Sequence, residues 1–129
     1  MIVIDTHVWV WWQADPKRLS KKAARALKNA KSIGVPAICL WEFSMLVQRD
    51  RIRIDRSALE WLNDALDVPG VRIVDLTPSV AVQSTRLPST FHNDPADRLI
   101  VATALNEGAP LISADQKFVD IPGLELIWD

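Results

Sequence analysis

Four acidic residues, spread along the chain, each border an apolar segment: Asp5, Glu42, Asp97 and Asp115. Asp97 is the most informative, because on a helix it shares a face with Ile100, Val101 and Ala104. A carboxylate that points toward a core needs a cation or several donors, since a buried unpaired charge is very costly. Carboxylates without a histidine or cysteine cluster select Mg²⁺ or Mn²⁺ rather than Zn²⁺. If the four acids meet, they predict a site for such a metal.

The helix that carries Asp97 has clear start and stop signals. Asp94 is predicted to be its N-cap, and Pro95 fits the first helical position, where its missing N–H costs nothing. Gly108 is predicted to be the C-cap. The capping role is enough to explain Asp94, so we rank it below the other acids as an accessory site residue.

Short apolar runs alternate with amphipathic stretches along the rest of the chain. Strands are predicted at 2–4, 35–40, 71–76, 111–114 and 124–128. Helices are predicted at 6–13 with Thr6 as a cap, at 20–31 ended by Gly34, from Trp41 onward, from Ser57, at 78–86 and at 95–108, with a short turn at 115–119. This alternation predicts an α/β fold with a mostly parallel five-stranded sheet covered by helices on both faces.

The predicted elements bring the acids together. Ligands of such sheets sit at the carboxyl ends of the strands. Asp5, Glu42 and Asp115 each follow a predicted strand, and Asp97 lies on the first turn of a helix that starts at the same edge. Singly, each acid could be a helix cap or a loop residue. The joint placement of all four is what favours a metal site.

Bulk properties bound the class of protein. The 129 residues fit one domain spanning 1–129, and 49% hydrophobic with 24% charged residues is typical of a soluble globular protein. The net charge of −1 argues against a broad basic surface for nucleic acid, although a metal can supply local positive charge. The lone cysteine, Cys39, fits the reducing cytoplasm, and no signal peptide or membrane span is expected.

Four segments together resemble the PIN-domain family, and in particular its VapC-type toxins, the ribonuclease half of toxin–antitoxin pairs. They are Val-Ile-Asp-Thr-His at 3–7, Leu-Trp-Glu at 40–42, Asp-Pro-Ala-Asp-Arg-Leu-Ile-Val-Ala-Thr-Ala at 94–104 and Leu-Ile-Ser-Ala-Asp at 111–115. The resemblance covers nearly the whole chain. It implies a three-layer α/β/α sandwich.

The resemblance also implies a site and an activity. The family's acidic quartet falls on Asp5, Glu42, Asp97 and Asp115, while Thr6 and Ser113 match its hydroxyl positions. Mg²⁺, for which Mn²⁺ can substitute, would activate a water to cleave an RNA phosphodiester. Asp115 is assigned to a second metal or to positioning that water. The implied partners are RNA, a cognate antitoxin whose tail crosses the acidic pocket, and a second copy of the chain.

Several further residues each allow two interpretations of their role. The basic segment with Arg49, Arg51 and Arg53 could bind RNA phosphates or be a solvated charged face, which we favour slightly. Arg98 could touch substrate or pair with Asp94, and we favour the pairing. His92 is expected to tether its loop. Trp9, Trp11 and Trp12 are too many for one face of a small domain, so an interface is expected for some and the core for at least one.

Three other functions compete with metal-dependent RNA cleavage. A receiver-type signalling domain needs an acid pair after the first strand and a late lysine that this chain lacks. A haloacid-dehalogenase-like phosphatase needs Asp-x-Asp where this chain has Asp-Thr-His at 5–7. A PIN-fold module that binds RNA or protein without cleaving stays open.

Overall fold

The computed structural model describes residues 1–91 and 93–129, and a parallel five-stranded sheet lies at its centre. The strands are β1 Ile2–Ile4, β2 Ile33–Pro36, β3 Val71–Val74, β4 Leu111–Ile112 and β5 Leu126–Ile127. They are ordered β3-β2-β1-β4-β5, and all neighbouring pairs are parallel. Val3 on the central strand pairs with Gly34 on one side and Leu111 on the other. The predicted fold class is confirmed.

α-Helices form the crossovers from β1 to β2, β2 to β3 and β3 to β4, and a loop with a short 3-10 turn at Gln116–Phe118 joins β4 to β5. The described residues form α1 Thr6–Ala14, α2 Lys21–Asn29, α3 Ala37–Gln48, α4 Ala58–Leu66, α5 Pro78–Thr85 and α6 Pro95–Glu107. Five of these helices begin at an N-cap whose side chain accepts a backbone N–H, namely Asp5, Ser20, Ser57, Thr77 and Asp94. Each cap satisfies one of the backbone donors left at a helix start. Gly108 ends α6 in the left-handed conformation, as predicted.

The core packs helices against the sheet and against each other. Trp9 of α1 is fully buried, with its ring 5.2 Å from Trp61 and 6.2 Å from Phe43, and Phe43 stacks on Trp61 at 4.2 Å. This cluster holds α1, α3 and α4 together. Trp9 therefore belongs to the core, while Trp11 and Trp12 are half-buried.

One predicted strand was wrong in four of its six residues. Residues 35–40 were assigned to a strand, but β2 ends at Pro36 and α3 begins at Ala37. A short apolar run is compatible with either a buried strand or a buried helix, and here residues 37–40 belong to a helix. As a consequence Glu42 lies on the second turn of α3, not on its opening turn.

Two smaller predictions also failed. Gly34 does not end a helix: α2 ends at Asn29, and Gly34 lies inside β2. A Cβ on Gly34 would come within 2.7 Å of Val74 Cγ2, so close strand packing explains this glycine. The cap of α1 is Asp5, with Thr6 as the first helical residue. Among the described residues, no helix is long and apolar enough to span a bilayer.

Candidate metal centre

Asp5 reaches the site from the carboxyl end of the central strand. Its backbone N–H donates to the Ile112 carbonyl at 3.3 Å, which ties it to the end of β4. Its Oδ1 accepts the Val8 N–H at 2.9 Å, so the predicted alternative role as a helix cap is also real. The residue is 7% exposed. One oxygen of the Asp5 carboxylate therefore caps α1, while the carboxylate as a whole lies at the edge formed by the carboxyl ends of the strands.

Glu42 reaches the same edge from α3, one turn after the buried Cys39. The Thr6 hydroxyl donates to Glu42 Oε1 at 2.5 Å. Because Thr6 directly follows Asp5, this bond fixes Glu42 relative to the first acid. The predicted accessory role of Thr6 therefore has a structural basis in orienting Glu42.

Asp94 and Asp97 occupy the start of α6. Asp94 Oδ1 accepts the Asp97 N–H at 3.1 Å, which confirms Asp94 as the N-cap. Asp97 is half-buried, and Ile100, Val101 and Ala104 on its helix face are buried. The apolar stripe predicted below Asp97 is therefore confirmed.

Asp115 follows β4 at the adjacent strand end. Its N–H donates to Ser113 Oγ at 3.0 Å, and its Oδ1 accepts the Lys117 N–H at 2.9 Å. Lys117 Nζ lies 3.8 Å from Asp115 Oδ2. Ser113 is fully buried, and its hydroxyl lowers the pKa of the Asp5 carboxyl, so it acts on acids that follow two neighbouring strands.

All four predicted acids, together with Asp94, line one cavity of about 490 Å³. Oxygen atoms of Glu42, Asp94 and Asp97 lie within 4.8 Å of one another. Asp94, which we had ranked as accessory, thus belongs to the tightest acidic group found among the described residues. Asp5 and Asp115 line the cavity outside this group. Three carboxylates at such spacing fit a hard divalent cation.

The raised pKa values of two of these carboxyl groups explain why such a cluster would bind a cation. Burial raises the pKa of Asp5 to about 6, against a smaller lowering by hydrogen bonds from Ser113 and Val8. Burial, together with the charges of Asp94, Glu42 and Asp115, raises the pKa of Asp97 to about 7. Two carboxyl groups therefore hold protons well above their usual range. A bound divalent cation would reverse the balance by favouring the ionised forms.

The sequence analysis also singled out Arg98, which the structure describes, and His92, which lies outside the described residues. Arg98 is absent from the residues that line the acidic cavity. Its guanidinium donates to the Ser84 and Phe91 carbonyl oxygens, at 3.2 and 3.0 Å, and so ties α6 to α5 and to the preceding loop. These contacts are structural, whereas the pairing with Asp94 that we favour stays a prediction. The prediction for His92 falls outside the described residues.

Sequence reasoning missed part of the lining. His7, Trp11, Arg51 and Lys117 also face the cavity. The centroid of the Trp11 ring lies 6.1 Å from that of His7 and 5.8 Å from that of Trp128. The Arg18 guanidinium carbon lies 4.6 Å from the centroid of the Trp11 ring. His7 and Lys117 could have been suspected, since each lies two residues from a predicted acid. Nothing local in the sequence distinguishes Arg51 from its neighbouring arginines.

Comparison with known proteins agrees with this geometry. The model of the PIN domain family matches residues 2–124. Ribonuclease VapC22 of Mycobacterium tuberculosis is 41% identical over 116 residues, which are 90% of this chain and 88% of that relative.

Solved structures share the fold at lower identity. VapBC2 from Rickettsia felis, bound to a DNA fragment from their promoter, superposes with a TM-score of 0.74 and 22% identity over 100% of both chains. A toxin–antitoxin complex from Klebsiella pneumoniae superposes with a TM-score of 0.70 and 18% identity, over 98% of this chain and 96% of that one.

Proposed function

Because the chain belongs to the PIN-domain family, we propose that it is a metal-dependent endoribonuclease and the toxin of a toxin–antitoxin pair. The observation that carries the proposal is the acidic cavity, in which Glu42, Asp94 and Asp97 bring carboxylate oxygens within 4.8 Å. The printed name of the relative that is 41% identical, a ribonuclease, supports RNA as the substrate class.

The acids have distinct proposed roles. Glu42 and Asp97 hold a divalent cation, with Asp5 as a further direct or water-mediated ligand and Asp94 contributing the oxygen not used in capping. Asp115 positions the attacking water or helps to hold a second metal. We propose Mg²⁺, with Mn²⁺ able to replace it, because all these donors are carboxylate oxygens. When bound, such a cation lowers the pKa of a water and stabilises the charge on the leaving oxygen.

The surrounding residues keep the ligands in position. Thr6 holds Glu42 by its hydrogen bond, and Ser113 holds Asp115 by accepting its backbone N–H. Carboxylates oriented in this way lose little freedom when a cation binds, and mutation of such supporting residues typically lowers metal affinity or activity by about 10-fold to 100-fold.

Cleavage of bacterial RNA tests the enzyme proposal. Wild-type protein with Mg²⁺ or Mn²⁺ should cut RNA, and both EDTA and Asp97→Asn should abolish the cuts. Asn keeps the size and the helix position of Asp97, so a thermal midpoint no lower than that of the wild type would exclude misfolding as the cause. Cutting that survives EDTA would contradict the metal mechanism. RNA binding without any cutting would indicate the non-catalytic PIN-fold module instead.

We also propose an antitoxin partner and a homodimer. A solved neighbour is itself a toxin–antitoxin complex, which supports the antitoxin. Trp41 is 57% exposed beside the acidic cavity, and large exposed aromatics favour interfaces. The RNA substrate and the single Cys39 support a cytoplasmic location.

Co-expression with the small protein encoded next to this gene should yield a complex in which RNA cutting is inhibited, and undiminished cutting would contradict the antitoxin. A native mass spectrum that contains only monomer at micromolar concentration would contradict the dimer.

A further inference from the structure

Arg51 enters the acidic cavity from the loop after α3, where the backbone fixes its position. The Arg51 N–H donates to the Leu46 carbonyl at 2.8 Å, and the Asp50 N–H donates to the Val47 carbonyl at 3.1 Å. Asp50 has a φ of 57°, in the left-handed region. These features form a Schellman motif, which ends the helix and sets the direction of the next residue. Arg51 therefore leaves α3 from a defined backbone position.

The three arginines of the basic segment diverge. Arg51 lines the acidic cavity. Arg49 lines a neighbouring groove with Trp41, Met45 and two of the acids, Glu42 and Asp94. Arg53 lines a separate cavity beside Trp61. The segment is therefore not one basic patch. Of these three side chains, Arg51 is the one that lines the cavity with all five acids, and this places it to meet a substrate bound over them.

The lysine and the arginine of the cavity lining differ in whether they form an ion pair. Lys117 forms an ion pair with Asp115. Arg51 is exposed, and its side chain makes neither an ion pair nor a hydrogen bond with the described residues. A guanidinium that lies in a cavity with five carboxylates but pairs with none can still bind an anion from solution. Its planar fork matches two oxygens of a phosphate.

We propose that Arg51 binds a phosphate of single-stranded RNA at or next to the phosphodiester that is cleaved. The inference rests on the proposed ribonuclease function. A polyanion that approaches five carboxylates meets repulsion, and an arginine at the rim offsets it on the substrate side. Arg51 is thus a substrate-binding residue, whereas the acids hold the cation.

Binding of fluorescein-labelled oligouridylate, followed by anisotropy with Mg²⁺ present, tests this role in the Asp97→Asn background. Arg51→Gln should weaken binding roughly tenfold, the loss of one charge-assisted contact. Between about 50 and 200 mM salt it should also reduce the salt slope of log K by about 0.7, the value for one phosphate on a single strand. Arg51→Lys should keep the slope, because the charge remains. The matched control Arg53→Gln should change neither quantity.

Equal effects of Arg51→Gln and Arg53→Gln would overturn the inference, and so would unchanged binding in Arg51→Gln or no binding of the oligonucleotide by any variant. Cutting of bacterial RNA by the wild type is measured in parallel and reports on the proposed function alone. Wild type that cuts RNA, with Arg51→Gln indistinguishable in binding, refutes the role of Arg51 and leaves the ribonuclease intact. A wild type that binds RNA through Arg51 but never cuts refutes the ribonuclease instead.

Discussion

Neutralising Asp5 should stabilise the metal-free protein even though it abolishes the proposed activity. Burial raises the pKa of Asp5 from 3.8 to about 6. In the unfolded chain the carboxyl ionises from about pH 3.8 upward, whereas in the folded chain it ionises only near pH 6. Wild type therefore loses stability as the pH rises through this window, and the loss is complete above it. Asp5→Asn does not titrate and avoids this loss.

The expected gain in the free energy of unfolding follows from the shift in the pKa of Asp5. About 2.2 pKa units at 1.36 kcal/mol each give about 3 kcal/mol at pH 8, and the same linkage gives only about 1 kcal/mol at pH 4.5. Asn is as good an N-cap as Asp, so the bond from the Val8 N–H should survive. The Ser113 hydroxyl can accept from the new amide.

Urea unfolding, followed by tryptophan fluorescence in EDTA, measures the prediction at both pH values. Asp75→Asn, at an exposed position outside the cavity, controls for the loss of one negative charge. The reasoning is refuted if Asp5→Asn is no more stable than wild type at pH 8. It is also refuted if the gain is the same at pH 4.5, because a gain without pH dependence does not come from the carboxyl group.

Four further predictions concern metal binding, the site and the backbone. Mg²⁺ at about 100 times its Kd should raise the free energy of unfolding of wild type by about 2.7 kcal/mol, and an unshifted thermal midpoint would contradict a metal site. Thr6→Val should lower kcat/KM for RNA by about 10-fold to 100-fold, since it removes the hydrogen bond that orients Glu42, and unchanged kinetics would show that this bond is dispensable. Gly34→Ala should cost about 1 to 3 kcal/mol in urea unfolding, because its Cβ would meet Val74 Cγ2 at 2.7 Å, and wild-type stability would mean that the strands can move apart. Asp50→Gly should raise the stability by roughly 1 kcal/mol, because glycine adopts a φ of 57° without strain, and a lower thermal midpoint would mean that the Asp50 side chain stabilises the turn.

Local signals in the sequence were sufficient for α6. Asp94 as the N-cap, Pro95 at the first helical position and Gly108 as the C-cap were all predicted and are all confirmed. These interactions join residues a few positions apart, so they can be predicted from the sequence without knowledge of the fold. The same is true of Asp5, which follows β1 directly, and of the buried stripe below Asp97.

The apolar run at 35–40 could not be assigned locally. β-Branched and apolar residues in a segment this short satisfy both a buried strand and a buried helix. Packing decided between them. β2 pairs with β1 up to Gly34 and with β3 up to Pro36, and α3 then packs on α1, α4 and α6. The second-turn position of Glu42 follows from that boundary and not from its own neighbours.

Residue types and spacing alone therefore determined the fold class, the helix that carries Asp97 and the acids that meet at one sheet edge. They did so because capping, periodicity and the rule for strand ends act over short range or over whole elements. Only the tertiary structure decided that Asp94 joins Glu42 and Asp97 within 4.8 Å. It also decided that Arg51 shares one cavity with all five acids, whereas Arg49 meets two of them in a neighbouring groove and Arg53 lines a cavity without them. Distances between side chains on different elements depend on strand order, helix boundaries and packing, and no single segment of sequence contains that information.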